Sequence, residues 1–171
     1  MAKMSVSTAR SAWRRDERPT LMAKPESWRL DIAVYPFKTD IPTRWADLDL
    51  LGHINNVSMA GLFEEGRGKF NRSLDLFRDN RGIRWLIANV DIAYLAEAHY
   101  PAPVTIASGI GRIGGKSWNI VSAAFQSDIC VATCETTLVY TDASGPVPYP
   151  PDFRAKFEPM QLIISEAPIV T

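Results

Sequence analysis

The chain has 171 residues, 46% hydrophobic and 22% charged, the composition of an ordinary globular protein with enough length for one core. Lysine plus arginine number 19 and aspartate plus glutamate also 19, so no overall basic field exists to hold a nucleic-acid backbone, and nucleic-acid binding is not expected. The longest weakly polar stretch, 85–98, is broken by Asn89, Asp91 and Glu97 and falls short of the ~20 apolar residues of a membrane helix, so no membrane span is expected.

The first fifteen residues carry Lys3, Arg10, Arg14 and Arg15 and no acid, a faint likeness to an organelle transit peptide, and no apolar run of a secretory signal follows them. Residues 1–28 read as a charged, flexible N-terminal extension, 29–160 as one domain and 161–171 as a C-terminal tail. Cys130 and Cys134 lie four apart in a strand-like segment, which separates their Cα atoms by roughly 13 Å at the rise of a strand and excludes a disulfide between them. Two free thiols suit a reducing compartment, so a cytoplasmic location is expected, with an organelle matrix as the alternative.

Residues 35–44 are extended in character, and Pro36 and Pro42 make this an edge strand. Residues 45–54 form a polar, aperiodic loop. A helix can start at Asn55 and Asn56, whose side chains accept hydrogen bonds from a first turn. Met59, Leu62, Phe63, Gly66, Phe70 and Leu74 then recur at the spacing of a single helical face, which predicts burial of that face. Gly66 would let the helix lie close to a sheet, while Gly61 and Gly68, with Ala60, make a strip of small residues that could border a ligand or a second subunit. From Arg84 to Tyr94 the pattern alternates, with Leu86, Ala88, Val90, Ile92 and Tyr94 on one side. Strands follow at 104–113, 118–126 and 129–140, joined by hairpins at Gly114-Gly115 and Ser127-Asp128, and a proline-rich end closes with a short helical or coil segment near 154–158. One long helix after a first strand, then four antiparallel strands, is an α+β arrangement.

Residues 44–67 read RWADLDLLGHINNVSMAGLFEEGR. This resembles the acyl-CoA thioesterase branch of the hotdog superfamily, the group around 4-hydroxybenzoyl-CoA thioesterase, whose signature runs D-x-D-x-x-G-H-x-N-N with E-x-x-R on the helix. Asp47, Asp49, Gly52, His53, Asn55, Asn56, Glu64 and Arg67 hold the family's spacing, and the likeness extends over about 29–160. It departs at Met59, where tyrosine is frequent, and at Pro103, near a position often taken by aspartate. The resemblance implies a hotdog fold, an antiparallel sheet wrapped around one long helix. It also implies hydrolysis of an acyl-CoA to free acid and coenzyme A, Asp49 as the catalytic carboxylate, and a homodimer or homotetramer with active sites at the subunit interface. Coenzyme A enters as part of the substrate, and no separate cofactor is expected.

The residues fit that chemistry. Thioester hydrolysis needs a base or nucleophile and donors aimed at the developing oxyanion. An aspartate is ionised at neutral pH, so Asp49 could deprotonate a water or attack the carbonyl itself. The amides of the first helical turn, around Asn56 and Val57, are an oxyanion site. His53 is a positioning group, Asn55 a helix cap and Asp47 structural. Glu64 is the alternative base, because some hotdog thioesterases carry theirs on the helix, and it could equally pair with Arg67. His99 has no partner visible from the sequence. Coenzyme A is anionic, and Arg112 and Lys116, flanking the glycine hairpin, are the candidates for binding it. His53 and His99 are far apart in sequence, with no metal-ligand spacing, and no dinucleotide or P-loop pattern occurs. Two other readings stay open: a hotdog hydratase or dehydratase, and a non-catalytic acyl-CoA-binding protein.

Overall fold

In the computed structural model, which describes residues 24–76 and 84–164, the long helix α1 runs Asn56–Ser73. Met59, Leu62, Phe63, Gly66, Phe70 and Leu74 are all buried, as the spacing requires. Arg67 and Asn71 are buried too, because they continue the row from Phe63 at steps of four. A count of apolar residues misses them. A Cβ on Gly66 would sit 2.5 Å from Ile106 Cγ2, so the absent side chain is what lets α1 approach the sheet.

The sheet consists of β1 (Phe37–Ile41), β2 (Arg84–Tyr94), β3 (Val104–Ile113), β4 (Ser117–Gln126), β5 (Ile129–Asp142) and β6 (Gly145–Pro146). The order is β1-β3-β4-β5-β2, antiparallel throughout, with β6 added to β5. β1 and β2, which flank the helix in sequence, therefore lie at opposite edges, and the sheet curls around α1. Ser127 and Asp128 both have positive φ, the backbone of a tight two-residue hairpin. The other hairpin turns one residue later than expected: the Gly114 amide donates to Ser117 O, so Gly115 and Lys116 form the turn.

Two bulges change which residues face inward. Pairing along β2 slips between Ile87 and Asn89, so Trp85 and Ile87 oppose the inward Tyr140 and Leu138, while Val90, Ile92 and Tyr94 oppose Thr136, Cys134 and Ala132. Leu86 therefore does not share a face with Val90, contrary to simple alternation. A second slip in β5, at Val131, puts Cys130 in the outer-face cluster and Cys134 in the inner one. Both thiols are free.

The inner face is divided along the helix. Ile54, Met59, Leu62, Phe63, Val104, Ile106 and Val131 pack at its N-terminal end. At the other end Phe70, Trp118, Tyr140, Phe153 and Phe157 form an aromatic cluster. The last two come from α2 (Pro151–Phe157), which starts earlier than the sequence suggests because proline is well placed in a first turn. The outer face is apolar as well. Tyr35, Val121, Ala123 and Phe125 are covered by Trp28, Ile32, Val34 and Leu162. Of the expected N-terminal extension, the described part is 24–28, and Trp28 lies on this face. Of the expected tail, 161–164 are described, and Leu162 donates its amide to Ile110 O.

Candidate active site

The motif folds into a loop closed on itself. The main chain of Leu48 bridges to Ile54, Asp49 N–H donates to His53 O at 2.9 Å, and Gly52 N–H returns to Asp49 O at 3.1 Å. Gly52 has φ +83°, a backbone conformation that a side chain would strain. The reversal turns the Asp49 carboxylate back over the loop, where Oδ1 accepts from Leu51 N at 2.8 Å and His53 N at 3.2 Å. Desolvation, the largest single influence, works to raise its pKa. The amides of His53 and Leu51, together with the His53 imidazole and the Gly52 amide, outweigh it and hold the carboxyl below its ordinary value. Asp49 is an anion at neutral pH.

Asp47 does structural work. It is 1% exposed, and its carboxylate takes the Arg44 amide at 2.7 Å and the Arg44 guanidinium at 2.6 Å. That pairing lowers its pKa. Its carbonyl accepts from the Asn55 amide at 2.9 Å, which fixes where the helix begins. Asn55 is the N-cap, and its side chain accepts from Ser58 N at 2.9 Å. The amides of Asn56 and Val57, one and two residues into α1, have no intrahelical acceptor and stand at the positive end of the helix dipole. Tyr94, the last residue of β2, donates its hydroxyl to Asn56 O at 3.0 Å.

The β2–β3 loop closes the other side. Ile54 N donates to Ala98 O at 2.8 Å. Gln126, nearly buried at the end of β4, holds the His99 amide at 2.8 Å and the carbonyls of His99 and Ala102 at 2.8 and 3.0 Å. The loop so fastened brings Glu97 Oε2 within 3.0 Å of His53 Nε2 and 3.9 Å of His99 Nε2. The two imidazole rings meet edge to face at 5.2 Å. The histidines, distant in sequence, are therefore neighbours, and Glu97, which carried no sequence signal, lies between them. Among the described residues no group of three or more histidine, cysteine or acidic side chains is arranged to hold a metal ion. Trp45, Leu50, Leu51 and Val57, in or next to this loop, are exposed, as is Tyr100, whose ring meets Trp45 edge to face.

Asp49, His53 and Asn56 are thus brought together, and the remaining candidates stand elsewhere. Glu64 is eight residues beyond Asn56, about 12 Å along the helix axis. It is 77% exposed and 3.8 Å from Arg67 Nη2. Arg112 and Lys116 lie at the far end of β3, which runs from Val104, packed beside Ile54, to Ile113 in the aromatic cluster. Nine residues of strand put roughly 30 Å between the two ends. The Lys116 ammonium donates to Pro146 O at 3.0 Å.

Comparison with known proteins agrees with this fold. No curated protein is detectably similar to the chain. Among solved structures, a predicted thioesterase from Bacillus stearothermophilus is 27% identical, with TM-score 0.69 over 75% of this chain and 98% of that one. A protein of Pseudomonas aeruginosa strain PAO1 is 22% identical, with TM-score 0.70 over 78% and 96% of the two chains. A thioesterase of Thermus thermophilus, complexed with coenzyme A and Zn, is 21% identical, with TM-score 0.66 over 74% and 95%. The curled sheet around one main helix is the hotdog fold that the motif implies. A family model described as the thioesterase-like superfamily matches residues 43–157, and the chain belongs to that superfamily.

Proposed function

We propose that the protein hydrolyses an acyl-CoA thioester to free acid and coenzyme A. Asp49 is the base or nucleophile, and the amides of Asn56 and Val57 are the oxyanion donors. One observation carries the reading. An ionised carboxylate, with one oxygen held by two amides, sits on a loop that leads within a few residues into an unpaired helix N-terminus. A thioester carbonyl seated between the two would have an anion on one side and two N–H donors on the other. Attack generates a tetrahedral oxyanion that the donors stabilise, and its collapse expels the CoA thiolate. As base, Asp49 takes the proton of the attacking water; as nucleophile, it forms an anhydride that water then cleaves.

The site is completed by a second copy in a homodimer or homotetramer. β2 is an eleven-residue edge strand exposing Leu86, Ile87, Val90 and Tyr94, and an unpaired apolar edge of that length is a template for another chain. Arg112 and Lys116 would then bind coenzyme A at a neighbouring protomer's site.

The test is a panel of acyl-CoA esters followed by free-thiol release. Asp49→Asn should fold normally and lose about 10²- to 10⁴-fold in turnover, the range for a positioned acid–base group. Glu64→Gln should cost far less. An active Asp49→Asn beside a dead Glu64→Gln would move the chemistry to the helix carboxylate. No effect from either change on a measurable rate would end the reading.

A further inference from the structure

The mechanism above makes no use of Glu97. Yet its Oε2 lies 3.0 Å from His53 Nε2, and the amide of the same His53 is one of the two donors to Asp49 Oδ1. We infer that Glu97 is a positioning residue of this site, acting through His53; the inference rests on hydrolysis at Asp49. A neutral imidazole has one protonated and one bare nitrogen, and a carboxylate opposite Nε2 selects the Nε2–H form and leaves Nδ1 bare. His53 stands on a loop with its side chain 26% exposed, its ring edge to face with His99 and its Nε2 facing Glu97. Glu97 is itself anchored: the Ala98 carbonyl binds Ile54, and Gln126 grips His99. At 3.9 Å His99 Nε2 is beyond hydrogen-bond reach, so the carboxylate serves His53 first. With Glu97 63% exposed the pair contributes little to folding, and its loss should be read at the site rather than in stability.

The experiment is a double-mutant cycle. Glu97→Ala should lower kcat about tenfold with KM near the parent value, within the coupling expected of residues in contact. Glu97→Gln, which keeps an accepting oxygen, should recover part of that loss. In a His53→Ala background the same Glu97→Ala change should cost nothing further. Independently of activity, ¹⁵N spectra of the imidazoles should show His53 protonated at Nε2 in the parent and a tautomer mixture in Glu97→Ala. Additive losses in the cycle, or an unchanged His53 spectrum, would overturn the inference. If the parent cleaves no acyl-CoA while the spectrum still changes, hydrolysis is refuted and the Glu97–His53 coupling is upheld.

Discussion

Alanine at Gly66 should destabilise the protein although alanine is the better helix former. The gain from propensity is about 1 kcal/mol. Against it, the new Cβ would meet Ile106 Cγ2 at 2.5 Å and Ile106 Cβ at 2.8 Å, distances at which the helix or the strand must move. Overpacking of this kind costs about 1–3 kcal/mol. The net change is therefore a loss of about 1 kcal/mol, which for a chain of this length lowers Tm by about 2–4 °C. Gly61 and Gly68 are internal controls, because an added Cβ has no described atom within 4 Å at either position. The same substitution there should raise Tm by a similar amount. Thermal and urea unfolding of the three variants provide the measurement. Should Gly66→Ala stabilise as much as Gly61→Ala, α1 is not seated on β3 as described.

Other perturbations test the remaining parts. Asp47 is held below its ordinary pKa chiefly by Arg44, so the stability it contributes is present above the unfolded carboxylate range and is lost as pH falls through the folded value. Asp47→Asn should therefore be weaker than the parent near neutrality and approach it in acid. A gap independent of pH would show the ion pair to be idle. Light scattering should return at least a dimer, and Val90→Lys should shift the size toward the 19.0 kDa monomer; a parent already of that mass at micromolar concentration refutes pairing through β2. A chain beginning at Glu26 should fold and keep full activity, whereas Trp28→Ala, which strips the outer face, should lower Tm.

The sequence makes the helix and the strand meander legible because burial imposes strict periods on them, 3.6 on α1 and 2 on the strands. The bulges at Ala88 and Val131 escape that logic. Each inserts one residue without changing composition, so the inward set of β2 and the opposite facing of the two cysteines follow only from the pairing. Asp49, His53 and Asn56 are legible as candidates because a short loop and the first residue of α1 hold all three within eight residues. Glu97, His99 and Gln126 are not, since Glu97 and His99 reach His53 only through the β2–β3 loop, and Gln126, 27 positions beyond His99, fastens that loop. The buried Arg67 shows a related limit: a polar residue on an apolar helical face reads as an exposed one until its partners, Thr136 and Glu64, are in place.

The Tyr94 hydroxyl has a consequence for how assembly and turnover relate. Its ring belongs to the strand edge on which a second chain would add, and its oxygen ends on the first turn of α1, at the Asn56 carbonyl. One side chain thus spans from the proposed association edge to the turn whose amides are the proposed oxyanion donors. A shift in the edge strand on pairing would be felt at those amides without passing through the core. In the single chain that link is already made, so an added strand would act on a contact the protomer holds by itself.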